Sequence, residues 1–419
     1  MKKKVDHIIC DNAANMKKAF STCFPGQEDE DDDHDDFNIW NNLTVEEQER
    51  FENVLSAKSQ TRLQCFAHTL QLTIGDGLKD TKIISAALSK ASRLSSLLHT
   101  STTFKDKFEM EFGQRGIPAS VTTRWNSTLR QLKSVLNCDQ LKLSAVLEDA
   151  GHKETVFTAR EWSQIRELVD VLQPFGEATD LTQGEKIVTI SAVVPCILSL
   201  NHHLENQKER VHYMGGLIRS LQESLQRRFR GIFVHVRMAD DQSDGATLPF
   251  SDPLYLKAAL LDPSFGTMWL AHDVLAPENV KEDVSVMIKS LILRDAGMTM
   301  TTTSPITDEP ITPSEPERQT GLFSAYRKNM KMSSNSTPQI QLNHYLDICD
   351  GQSCLQFWAM NRRTLPSLFK VAVRVMAVPA SSAPVERVFS HGGVIMRPHR
   401  SQLSDKVLSN LIFCKCNAL

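Results

Sequence analysis

Ile83, Ile84, Ala87, Leu88, Ala91, Leu94, Leu97 and Leu98 recur at helical spacing, and this periodicity is the strongest constraint on the fold. Leu129, Leu132, Val135 and Leu136 repeat the pattern. Thr158 and Glu161 have the spacing of a capping box, followed by Trp162, Ile165, Leu168, Val169 and Leu172 on one face. Pro174 is expected to stop that helix. Further helices are expected over 190–206, 211–229 and 278–294. Strand signals sit near the N-terminus, where VDHIIC (5–10) reads as a short buried strand ending at Asp11, with a helix start over Asn12–Phe20. Thr61–Thr73 reads as a strand or helix entry around Cys65 and His68. Thr44 and Glu47 suggest a second capping box, opening a helix over Val45–Ala57. The pattern implies a small α/β piece carrying a large all-α insertion.

The punctuation is equally informative. EDEDDDHDD (28–36) has eight carboxylates in nine residues, and such a block repels itself into a loop. Residues 298–318 are rich in Thr, Ser and Pro and read as a disordered linker. A last helical block starts near Phe323, with breaks expected at Pro366, at Val378-Pro379 and at Gly392-Gly393.

The formal charge is -3, from 47 Lys+Arg and 50 Asp+Glu. The balance is uneven. Residues 1–60 have 7 basic and 14 acidic residues, whereas 361–419 have 9 basic residues against only Glu386 and Asp405. A basic C-terminal segment suits a nearby polyanion. No run of 18 apolar residues exists, so no membrane span is expected. Nine scattered cysteines suit reduced thiols inside a cell, and no secretory leader is expected.

Three groups of residues invite chemistry. Asp11 at a strand end and Glu386 in the first turn of a helix begun by Pro384 are carboxylates a cation could approach, although nothing in their spacing pairs them. Cys65 and His68 form half of a zinc site. Four ligands are needed, and Cys349, Cys354, Cys414 and Cys416 supply no standard second half. Arg124 and Trp125, in TTRWNST (122–128), could form a stacking platform for an unpaired base. No GxxxxGK[ST] phosphate loop and no GxSxG elbow occur.

Taken in order, CDNAANMKKAF (10–20), LQCFAHTLQL (63–72), TTRWNST (122–128), ALLDPSF (259–265), LNHYL (342–346), FWAMNRRTLPSL (357–368) and VPASSAPVERVFSHGGVIMRPHRSQLSDKVLSNLIFCK (378–415) resemble the hAT-superfamily transposases, in the lineage of domesticated BED-finger transposase-like proteins. The resemblance implies an RNase H-like core interrupted by a helical domain. It implies a partial core over 1–100, the insertion over 101–297, the linker over 298–320, and a dimerisation region over 321–419 that completes the core. It makes Asp11 and Glu386 two of three carboxylates that hold divalent cations, Mg²⁺ or Mn²⁺, in active members. It makes Trp125, Arg124, Cys65, His68 and Arg387 DNA contacts. Leu365, Leu368, Phe369, Phe389, Leu403, Val407 and Leu411 become dimer-face candidates.

The family's first Asp lies in a strand upstream of Asp11, and this sequence opens ten residues before Asp11. No BED finger is expected, because no CxxC pair precedes residue 65. The expectation is therefore a nuclear, transposase-derived homodimer or oligomer without catalytic activity, with DNA as a partner and no membrane association. The alternatives are a fragment of an active transposase that cuts and transfers DNA strands with two metals, and a zinc-dependent adaptor.

Overall fold

The computed structural model describes residues 7–10, 62–79, 82–120, 125–240, 248–271, 278–301, 337–349, 351–396 and 403–417. Asp11, the acidic run at 28–36, the helices expected over 12–20 and 45–57, and Arg124 lie outside the described residues. Two strands, β1 (Ile8–Cys10) and β2 (Arg62–Gln64), pair into a small sheet. Arg62 Nε donates to the buried Cys10 Sγ at 2.9 Å, so the pair is tied by side chains as well as by its ladder.

The chain divides into two compact units. One comprises Gln64–Thr182 and Cys196–Arg230; the other comprises the described parts of Met1–Leu63, Gln183–Pro195 and Gly231–Leu419. The helices over 254–301 fall in the second of these units.

The first unit is all helix. Its elements are α1 (Phe66–Lys79), α2 (Ser85–Thr100), α3 (Thr102–Phe112), α4 (Trp125–Leu136), α5 (Gln140–Asp149), α6 (Ala159–Thr182), most of α7 (Val193–Gln207) and α8 (Gly215–Arg228). α1 packs along α8. Leu217, Ile218, Leu221 and Leu225 form the buried stripe of α8, and the rings of Phe66 and Phe229 lie 5.4 Å apart. Gly77 permits this approach, since a Cβ there would stand 2.6 Å from Leu221 Cδ2. Asp76 Oδ2 accepts from Ser224 Oγ (2.7 Å), Arg227 Nη2 (3.0 Å), and Arg228 Nε (3.0 Å) and Nη2 (2.8 Å). Arg228 is buried, so its charge depends on this carboxylate.

The capping box of α6 forms as the sequence indicates. Thr158 N–H donates to Glu161 Oε2 at 2.7 Å, and Glu161 N–H donates to Thr158 Oγ1 at 3.2 Å. The five apolar residues of its face are all buried. Pro174 does not stop it: the helix runs on to Thr182. Proline removes the N–H that would bond the Asp170 carbonyl. The half-buried His203 ring sits at that gap, with Nε2 3.2 Å from the Val171 carbonyl. Burial holds the His203 imidazole below its usual pKa, against the pull of the Val171 and Asp170 carbonyls.

The second unit contains the strand pair, α9 (Arg230–His235), α10 (Leu254–Leu261), α11 (Met268–Ala271), α12 (Glu278–Thr301), α13 (Pro338–Ile348), α14 (Cys354–Asn361), α15 (Pro366–Met376), α16 (Ala383–Ile395) and α17 (Asp405–Asn417). α10 is buried along nearly its whole length. Its last carbonyls, which no intrahelical N–H can reach, are taken by Tyr345 OH on Leu260 O (2.8 Å) and Trp358 Nε1–H on Leu261 O (2.9 Å). Tyr345 and Trp358 stack with centroids 5.3 Å apart. The next residue, Asp262, is buried and accepts from Ser191 Oγ at 2.6 Å.

Two further expectations are corrected here. Residues 298–301 belong to α12, not to the linker, the rest of which (302–318) lies outside the described residues. Gly392-Gly393 does not break the last block; α16 continues to Ile395. A Cβ on Gly392 would lie 3.1 Å from Ile412 Cδ1, so this glycine lets α17 approach α16. Pro366 and Pro379 behave as expected: Pro366 begins α15, and Pro379 lies between α15 and α16. Among the described residues no helix is long and apolar enough to cross a membrane, and the cysteines are free thiols.

Candidate functional site

The residues singled out by sequence do not converge. Cys65 is buried just before α1, and its carbonyl accepts from Thr69 Oγ1 at 2.9 Å. His68 follows half-buried on the first turn. Among the described residues no three His, Cys, Asp or Glu side chains gather as a metal site. Trp125 is half-buried at the first position of α4. Its ring reaches toward Gly176 of α6, where an added Cβ would come within 3.9 Å of it. That position packs two helices together.

Glu386 occupies the first turn of α16, after Pro384, where the helix dipole favours a carboxylate. It is exposed and accepts from Ser382 Oγ at 2.8 Å. The described residues offer Glu386 no set of further carboxylates, whereas a pair of metals needs bridging and flanking oxygens. No step through a metal follows from them. Arg387, expected at DNA, is engaged within the chain. Its Nε donates to Glu185, and its Nη2 donates to the Gln183 carbonyl at 2.8 Å. It forms part of the wall of a cavity of about 500 Å³, together with Ile187, Met376, Val388, His391 and Cys416.

The dimer-face candidates separate into two sets. Leu365 (1% exposed) and Leu368 (0%) are core residues of this chain. Leu368, Val371, Ala372 and Val375 form the inner face of α15, which packs on α12, α10 and α13. They are therefore not available to a second copy. Phe369 and Leu403 are half-buried. Phe389 (73% exposed), Val407 and Leu411 are exposed.

These exposed residues belong to a hairpin in which α16 and α17 pack on one another. No residue of α17 is buried. Phe413 (67% exposed), Val385 and Val394 add to its apolar surface. A 13-residue helix gains little from its own hydrogen bonds in water. Phe389, Val407 and Leu411 were among the dimer-face candidates, whereas Phe413 and Val394 were not.

Comparison with known proteins bears directly on this region. The model of the hAT family C-terminal dimerisation region matches residues 327–418. The ZBED1 RNase-like helical domain matches 63–171, the opening part of the helical unit. The human Zinc finger BED domain-containing protein 4 is 23% identical over 387 residues, 90% of this chain and 31% of its own length. The Zea mays Putative AC transposase is 22% identical over 368 residues, 84% of this chain and 43% of its own. Zea mays Putative AC9 transposase is 21% identical, covering 84% of this chain and 45% of that protein. The chain thus spans less than half the length of the curated relatives it matches. It resembles hAT-family transposase-like proteins, and its residues 327–418 match their C-terminal dimerisation region.

Proposed function

We propose that this chain works by pairing: two copies join through the α16–α17 hairpin and hold a transposase-derived assembly together on DNA in the nucleus. One observation carries the reading. Within the stretch that resembles a dimerisation region, a whole helix buries no residue, while Phe389, Leu411 and Phe413 stand exposed. Covering aromatic and aliphatic side chains of this size is worth about 1.5–3 kcal/mol each before the costs of association. Light scattering on the full chain should give twice the monomer mass. Phe389→Asp with Leu411→Asp should give the monomer with unchanged helicity. A wild-type chain that is monomeric at tens of micromolar would overturn the reading.

The proposal includes two finer points. β1 and β2 are part of an RNase H-like sheet, and strand cleavage is not this chain's activity. Glu386, exposed and hydrogen-bonded to Ser382, is the residue on which the second point is tested. Mn²⁺-dependent nicking of hairpin DNA that disappears in Glu386→Gln would refute it.

A further inference from the structure

The cavity of about 500 Å³ beside Arg387 lies wholly within the second unit. Four pieces of chain enclose it: residues 184–189, the connection from α15 to α16, the first turns of α16, and the end of α17. Hydrogen bonds fix its walls. Ala380 N–H donates to Thr189 Oγ1 at 2.9 Å, tying the α15–α16 connection to the 184–189 segment. Arg387 ties α16 to the same stretch of chain through Glu185 and the Gln183 carbonyl. The volume falls within the range of about 300–1,000 Å³ found for small-molecule sites.

The lining selects among ligands by exclusion. Ile187, Met376, Val378, Pro379, Pro384 and Val388 supply an aliphatic wall, and none of the described lining residues has a six-membered aromatic ring. A nucleobase therefore finds no stacking platform there. Glu185 is the one carboxylate among the described lining residues, and Arg387 already holds it, so a cationic ligand finds no open counter-charge. Cys416 and His391 fall short of a metal site, since no three such ligands gather among the described residues. Lys415 and His391 remain. Among the described residues neither has a hydrogen bond or ion pair within this chain. Lys415 is exposed and His391 half-buried, so the cavity combines an aliphatic wall with an ammonium and an imidazole N–H that can donate.

We infer that this cavity binds a small aliphatic carboxylate, its chain against the aliphatic wall and its carboxylate at Lys415 and His391. Each methylene taken out of water adds to affinity, and a charge-assisted hydrogen bond from Lys415 fixes which end of the ligand meets the cation. Phe389, Leu411 and Phe413 do not line the cavity, so the inference does not depend on pairing.

The test is isothermal titration of the full chain with sodium octanoate, which should bind saturably, one molecule per chain. Octylammonium, with the same chain and the opposite charge, should not bind. Lys415→Gln should weaken octanoate about ten-fold. Val388→Asp, which puts a like charge in the aliphatic wall, should remove binding. Lys406→Gln, an exposed cation of α17 away from the cavity, should change nothing. Circular dichroism confirms that each variant is folded. No saturable heat up to about 10 mM octanoate, equal binding of octylammonium, or octanoate binding unaltered by both Lys415→Gln and Val388→Asp would each overturn the inference. Octanoate binding confined to the monomeric variant with Phe389→Asp and Leu411→Asp would give the cavity to the second copy instead. A monomeric wild-type chain that binds octanoate would refute the pairing reading alone. Tighter binding of a peptide ending in leucine, lost when its carboxylate is amidated, would replace the small molecule with a protein chain end.

Discussion

The helical unit and the terminal hairpin are built from the same material and end in opposite states. α8 has leucines at helical spacing and buries Leu217, Leu221 and Leu225 against α1. α17 has Val407, Leu411 and Phe413 and buries nothing. The difference lies in what surrounds each helix. α8 lies between neighbours that close over it, with Gly77 cleared for Leu221 and Asp76 anchoring Arg228. α17 packs chiefly on α16, with Ile412 over Gly392. An apolar stripe thus calls for a cover, while the number of neighbours within the chain decides how much of that cover the chain itself supplies.

The largest expected effects sharpen this contrast. Phe66→Ala removes a fully buried ring that meets Phe229 and should destabilise the helical unit by about 3–5 kcal/mol. Phe389→Ala should move the stability of the separated monomer by no more than about 0.5 kcal/mol, yet shift the dimer dissociation midpoint at least ten-fold, as expected of a central aromatic anchor. Urea denaturation of dilute protein and a sedimentation dilution series read the two quantities separately. Equal loss of monomer stability in both variants would mean that the hairpin closes its own core.

The two arginine–carboxylate clusters offer a second contrast. Asp76→Ala removes a carboxylate that the buried Arg228 bonds twice, and a loss of about 3 kcal/mol is expected. Arg387→Ala breaks a half-exposed pair with Glu185, worth about 1 kcal/mol or less. Thermal melts of the two variants should differ clearly. Comparable shifts would show that the Glu185–Arg387 wall of the cavity is more important to the fold than its exposure implies.

Much of the fold was legible because periodicity and capping are local. The face of α6 and its Thr158–Glu161 box form as the spacing indicates, and β1 falls within VDHIIC. What was not legible depended on distant partners. Pro174 reads as a stop until His203, 29 positions later in sequence, occupies the gap at the Asp170–Val171 carbonyls. Gly392-Gly393 reads as a turn until Ile412 is seen against it. Leu365, Leu368 and Phe389 look alike as apolar residues of a helical region, and only the packing of α15 on α10, α12 and α13 tells core from surface. For the candidate site, the engagement of Arg387 by Glu185 was not legible, because the two lie some 200 residues apart in sequence.

The smallest expected effect concerns how the two regions begin their helices. α6 opens with a reciprocal box, whereas at α16 Ser382 accepts from no N–H as a cap and donates to Glu386 instead. Thr158→Ala should cost about 1 kcal/mol, and Ser382→Ala considerably less. The Glu161 carboxyl adds a pH signature. Burial alone would raise its pKa, but the hydrogen bonds from Lys90 Nζ (2.7 Å) and from Thr158 outweigh burial and hold it below the ordinary 4.5. A depressed carboxyl stabilises the fold fully above that ordinary value, and the contribution is lost as pH falls through the lower, folded-state pKa. Once Glu161 is protonated, its bonds to Lys90 and Thr158 weaken together. The stability gap between wild type and Thr158→Ala should therefore be widest at pH 7 and narrow toward pH 3, whereas the gap for Ser382→Ala should stay small throughout. Urea midpoints at the two pH values measure it, and a Thr158→Ala gap that is constant across this range would show that the box stabilises α6 without its carboxylate.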